Sequence, residues 1–92
     1  MDSLPSFRTA EVLSAIAGVL SPYLGKFMAQ ASAKAHCHDL QIDGDVVDRG
    51  KVDALVERLG KGLNLFLGRD KSKEVVAEMQ RAVDGLGGVP NR

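Results

Sequence analysis

The run from Val12 to Ala35, VLSAIAGVLSPYLGKFMAQASAKA, is the only segment both apolar enough and long enough to centre a core. Within it Leu13, Ala17, Leu20, Leu24, Phe27 and Ala31 recur at alternating steps of four and three, the spacing that keeps side chains on one helix face. Val12, Ile16, Val19 and Tyr23 repeat that rhythm one position earlier, so the first half is apolar around well over half its circumference. Such a helix must be covered on several sides, either by later helices of the same chain or by a second copy of it. Ala29, Ala31, Ala33 and Ala35 thin the second half and let another helix come close.

A chain of 92 residues, 45% of them apolar, supports one domain with a modest core, in the size range where oligomerisation often adds stability. Twelve basic and twelve acidic residues cancel, which argues against an overall attraction to nucleic acid or to an anionic membrane. No tryptophan, one tyrosine and three phenylalanines leave few platforms for stacking single-stranded bases. The lone cysteine, Cys37, excludes an internal disulfide and fits a reducing compartment. Met1 to Pro5 lack a basic lead, and the apolar run from Val12 to Leu20 is interrupted by Ser14 and Gly18. The expectation is a soluble, cytoplasmic protein with no signal peptide or membrane span.

Along the chain, residues 1–5 read as a disordered lead, and a first helix is expected from Ser6, whose hydroxyl can cap it. Ser21-Pro22 predicts a kink or a very tight break in that helix, because the apolar seam stays in phase across the proline. A stop near Leu40 with a turn at Asp43-Gly44 follows, then Asp45 or Asp48 as the cap of a helix carrying Val52, Leu55, Val56, Leu59, Leu63, Phe66 and Leu67. Gly60 and Gly62 mark a bend in it or a close backbone approach. Gly68-Arg69-Asp70 reads as a turn, with Asp70 or Ser72 capping a last helix whose inward positions are Val75, Val76, Met79, Ala82, Val83 and Leu86. Residues 87–92 read as a flexible tail. No strand pattern and no internal repeat is visible, so the expected fold is an all-α compact bundle of three to four helices, one domain over residues 6–86.

Four stretches invite a chemical reading. His36-Cys37-His38-Asp39 has metal-ligand composition, but neighbours on a helix point about 100° apart and next-neighbours about 200°, so a continuous helix cannot close them on one ion. The acidic run Asp39, Asp43, Asp45, Asp48 and Asp53 suggests calcium; an EF-hand loop starting at Asp43 meets Val47, Asp48 and Ala54 where a ligand, glycine and glutamate are needed. Gly60-Lys61-Gly62 lacks the order of a phosphate loop. Arg69, Lys71 and Lys73 form a small basic cluster that could contact an anion or an acidic partner.

Gly44-Asp45-Val46-Val47-Asp48-Arg49-Gly50 resembles the GDxVDRG signature of the metal-dependent serine/threonine phosphoprotein phosphatases. That resemblance implies Asp45 as a metal ligand and Arg49 as a phosphate contact. The GDxHG and GNHE blocks that complete the family's two-metal site are missing here, and the expectation is a helix-capping loop. Separately, Leu20-Ser21-Pro22-Tyr23-Leu24-Gly25-Lys26-Phe27 and the alanine-rich run after it resemble small helical modules appended to bacterial signalling proteins such as serine/threonine kinases, with Lys26 where those modules commonly carry proline. This likeness implies a regulatory or self-association role.

Together these features predict a non-enzymatic interaction module without metal or cofactor, a homodimeric regulator or adaptor whose interface is Leu13, Ile16, Leu20, Tyr23, Leu24, Phe27 and Met28. The alternatives are a histone-like or other helical DNA-binding protein, which zero net charge disfavours, and a fragment of a metal-dependent phosphatase.

Overall fold

Phe7 and Val47 face each other as the middle residues of two three-residue strands that tie the molecule together. The computed structural model describes residues 6–42 and 44–86; the expected lead, the expected tail and Asp43 of the predicted turn lie outside them. Strand β1 is Ser6–Arg8 and β2 is Val46–Asp48, paired antiparallel as Ser6 with Asp48 and Arg8 with Val46. The amide of Thr9 donates to the carbonyl of Asp45 at 2.8 Å and extends the ladder by one rung. In each strand only the central residue is buried, the alternation of a one-sided ribbon. The predicted helix start at Ser6 is therefore wrong, and the expected all-α bundle is a compact, mostly helical bundle of four helices with a small two-stranded ribbon added. Three-residue strands are shorter than any periodic window can register.

Four helices follow the strands in pairs: α1 (Thr9–Leu24), α2 (Lys26–Asp39), α3 (Arg49–Leu67) and α4 (Arg69–Asp84). The element order is strand, helix, helix, repeated once. Both pairs are broken by a single glycine, Gly25 with φ 86° and ψ 152° and Gly68 with φ 82° and ψ 165°. This region of backbone space is nearly closed to residues with a Cβ. The amide of Ala29 donates to Gly25 and that of Ser72 to Gly68, so the second helix of each pair starts its hydrogen bonding in the same way. Up to the elbow the units correspond at an offset of 40 positions: Phe7 and Val47, Val12 and Val52, Ile16 and Val56 are all buried. Helix α3 has 19 residues against 16 in α1, which moves the offset to 43 at the glycines. The chain is thus an internal duplication in architecture, contrary to the expectation of no repeat.

Helix α1 runs through Pro22 without ending, so the predicted kink or break belongs three residues further on, at Gly25. Pro22 lies in the last turn, where the missing N–H costs one bond only. The Ser21 hydroxyl donates to Ala17 at 2.9 Å and the Gly25 amide closes the turn on Ser21 at 2.8 Å. Because the helix stops at Gly25, the seam does not continue across it. Val12, Ile16, Ala17 and Leu20 form the deep face of α1, while Phe27 and Ala31 turn outward. On α2 the buried positions are Ala29, Ala33 and Cys37.

Helix α3 is capped by Asp48, which accepts from the Lys51 amide at 2.9 Å, one of the two caps predicted. It passes straight through Gly60 and Gly62. Gly60 marks the close approach: a Cβ there would lie 2.5 Å from Val76 Cγ2, and the buried Ser72 hydroxyl donates to the Gly60 carbonyl at 2.7 Å. Ser72 is therefore a crossing residue, and neither it nor Asp70 caps α4, whose N-cap is Gly68 with no side-chain bond. Arg69 and Asp70, expected in a turn, already belong to the helix. Helix α1 packs on α2 and α4, and α3 packs on α4 and α2, so each helix touches its own partner and one from the other unit. The core between them includes Ile16, Leu20, Leu55, Val75, Met79 and Val83.

Candidate interaction surface

The phosphatase-like heptapeptide is spent on structure. Gly44 and Asp45 lead into β2, Asp48 caps α3, and the Arg49 guanidinium bonds to Asp84 at the end of α4 and to Asp53 one turn along α3. Those bonds, that to Asp84 foremost, hold the Arg49 pKa above its ordinary value. An arginine held by two carboxylates is not presented to a phosphate, and at the surface the pairs contribute at most about 1 kcal/mol.

The four residues of the metal-like cluster diverge as helix geometry requires. Cys37 enters the core, where burial raises its thiol pKa, and His38 is exposed. Asp39 reaches Arg58 at 3.8 Å, and His36 faces α3 with its Nδ1 buried and lacking a hydrogen-bond partner among the described residues. No group of three ligand-type side chains converges among the described residues.

The basic cluster also divides. Arg69 and Lys73, one turn apart, share a groove between α3 and α4 with Lys61. Lys71, on the opposite side of α4, lies 5.5 Å from the Tyr23 ring centroid and pairs with Glu74 at 3.5 Å.

The predicted interface is split more sharply. Ile16 and Leu20 are fully buried within the one chain, so they cannot form a surface for a partner. Leu13, Tyr23 and Leu24 are half-buried against the core, and Tyr23 donates to Glu78 on α4 at 3.2 Å. Only Phe27 and Met28 of that set are exposed, at 82% and 55%. Besides Val46 on β2 at 50%, they are joined in this property by Leu65 at 89% and Phe66 at 75%, the latter one of the expected apolar positions of α3.

These four side chains sit where the helix pairs turn at their glycines. Phe66 lines a cleft of about 150 Å³ between α2 and α3, together with Leu24, Ser32, His36, Leu59 and Leu63. Met28 is one helical turn before Ser32 on α2, while Phe27 and Leu65 are the chain neighbours of Met28 and Phe66 close to the two elbow glycines. The equivalent seam of the duplication, between α1 and α4, is closed by Tyr23 under Lys71 and against Glu78. Sequence reasoning missed Phe66 because the helical period continues to its position, and it missed Leu65 because that residue lies off the period. The signal that could have found them is the tetrapeptide aromatic-Leu-Gly-cation, present as Tyr23-Leu24-Gly25-Lys26 and again as Phe66-Leu67-Gly68-Arg69.

No helix among the described residues is long and apolar enough to cross a membrane. No family model matches the chain, and no curated protein and no solved structure matches it either.

Proposed function

We propose that the chain is a non-enzymatic helical interaction module, a homodimeric regulator or adaptor, and that its self-association surface is the α2–α3 edge bearing Phe27, Met28, Leu65 and Phe66. The observation that carries this reading is the exposure of four large apolar side chains beside a seam whose twin is closed. The two phenylalanines alone offer roughly 150 Å² each, and the four together approach the largest apolar patch a monomer ordinarily shows. Burying each is worth about 1.5–3 kcal/mol, enough to offset the cost of association when two copies meet. A two-fold pairing of this edge supplies the same residues from both copies, and zero net charge opposes it with no overall repulsion.

Isotope-filtered NMR on a mixture of labelled and unlabelled protein tests the surface directly. Contacts between the rings of Phe27 or Phe66 in one copy and the Met28 methyl in the other are expected. A dimer whose intermolecular contacts fall elsewhere, or no intermolecular contact at millimolar protein, rejects this surface.

A further inference from the structure

The duplication places one groove on the outside of each helix pair, and the two grooves differ in what lines them. In the α3–α4 pair Val76 presses its Cγ2 into the space left by the missing Cβ of Gly60. At the offset of the elbow glycines, the residue matching Val76 is Ala33, two carbons smaller, and it lines the α1–α2 groove. Across from it α1 presents Ala10, Ser14, Ala17, Gly18 and Ser21, all small, and nothing lies within 4 Å of where a Gly18 Cβ would be. The result is an open slot of about 490 Å³ lined mostly by small side chains, whereas its counterpart between α3 and α4, about 510 Å³, is lined by the long side chains of Glu57, Lys61, Arg69, Lys73 and Gln80.

The slot is not isolated. Its half-buried Leu13 also lines the neighbouring cleft toward Ile42 and the one toward β1 and β2, so three clefts join along α1 and α2. The α2 rim of the slot carries Lys26, Gln30 and Lys34 at successive turns, and no acidic side chain lines it. Neither lysine forms an ion pair among the described residues. The adjoining clefts add one cation, Arg8, and one carboxylate, Asp45.

We infer that this groove is a docking site for an acidic amphipathic helix of a partner protein. Small side chains on α1 let the partner backbone approach, half-buried Leu13 and exposed Ala10 receive its apolar stripe, and Lys26 and Lys34 pair with carboxylates two helical turns apart along it. The rim positions follow the period of a helix, spaced as a partner's charged edge lying alongside would be. The site is separate from the α2–α3 edge and does not depend on dimerisation there.

The test titrates the uniformly ¹⁵N-labelled full chain with two synthetic peptides of about 18 residues, a length of about 27 Å as a helix. Both carry a leucine and alanine stripe; one is flanked by glutamates, the other by lysines at the same places. The glutamate peptide is expected to shift amides of Ala10 to Ser21 and Lys26 to Lys34, and to bind at least about tenfold more tightly than its lysine twin. Gly18→Leu, which fills the slot at an exposed helical position, and Lys26→Glu with Lys34→Glu should each weaken binding by about tenfold or more while the helical circular dichroism is kept. No binding of the glutamate peptide, equal binding of both peptides, shifts confined to Phe27 and Phe66, or indifference to Gly18→Leu overturns the assignment. The oligomeric state of the same samples, read separately, distinguishes failure of this site from failure of the self-association surface.

Discussion

Tyr23 and Phe66 hold the same place in the two halves of the molecule, each three residues before the cation that starts the next helix, and only Tyr23 is covered. Its hydroxyl donates to Glu78 and Lys71 sits over its ring, both from α4. Phe66 remains 75% exposed beside α2. The difference follows from what stands at the matching places: Lys71 and Glu78 on α4 reach Tyr23, whereas their counterparts on α2 at the offset of 43 are Met28 and Ala35, which offer neither a cation nor a hydrogen-bond partner. Truncating the two rings should therefore have unequal effects on the single chain. Tyr23→Ala is expected to lower unfolding free energy by about 2–4 kcal/mol, through lost packing and an orphaned Glu78. Phe66→Ala, measured in urea at protein concentrations too low for association, should change it by less than about 1 kcal/mol. Equal losses would show that Phe66 supports the fold of the monomer.

The elbows give a second contrast. Gly25 and Gly68 adopt positive φ with extended ψ, so Gly25→Ala and Gly68→Ala should each destabilise by about 1–3 kcal/mol. Gly62 lies within α3 with open space at its Cβ position, and Gly62→Ala should stabilise by up to about 1 kcal/mol. Chemical denaturation of the three variants checks the sign of each.

Gly60 is a glycine for a different reason. An alanine there places its Cβ 2.5 Å from Val76 Cγ2, at the crossing where Ser72 binds the Gly60 carbonyl. Gly60→Ala should cost about 1–3 kcal/mol, and most of that loss should vanish in a Val76→Ala background, giving a clear coupling energy in a double-mutant cycle. Additive effects would place the strain elsewhere.

Cys37 is 5% exposed, and burial pushes its thiol pKa up, so the folded state keeps the proton more tightly than the unfolded chain. Its contribution to stability is complete below the ordinary thiol pKa and declines as pH rises past that value, where the unfolded chain releases the proton first. Native protein should react with a thiol reagent at pH 8 far more slowly than urea-unfolded protein. Cys37→Ser should remove this alkaline component of the stability profile. Rapid modification of the native protein would show that α2 opens locally.

Much of the helical content was legible from periodicity. Val52, Leu55, Val56, Leu59 and Leu63 on α3, and Val75, Met79 and Val83 on α4, are buried where their spacing places them, and Asp48 caps as its position implies. The strands were not legible, since Ser6–Arg8 and Val46–Asp48 each bury one residue and gain their definition from each other across forty positions of chain. Nor was the elbow at Gly25, because Pro22 is the stronger local breaker and only the repeated aromatic-Leu-Gly-cation tetrapeptide singles out the glycine. The exposed apolar side chains at the elbows were half legible. Phe27 and Met28 were in the predicted set, but a continuous apolar rhythm cannot distinguish a side chain facing the core from one left exposed, as Phe66 is, and Leu65 stands off that rhythm.

The central claim is that the α2–α3 edge joins two copies, and absolute mass by light scattering behind a sizing column, across a hundredfold range of concentration, tests it most directly. The wild-type chain should weigh twice its 9.8 kDa at the upper concentrations, and Phe66→Glu should weigh 9.8 kDa throughout with unchanged helical content. A wild-type chain that stays at 9.8 kDa over the whole range, or a dimer untouched by Phe66→Glu, contradicts it.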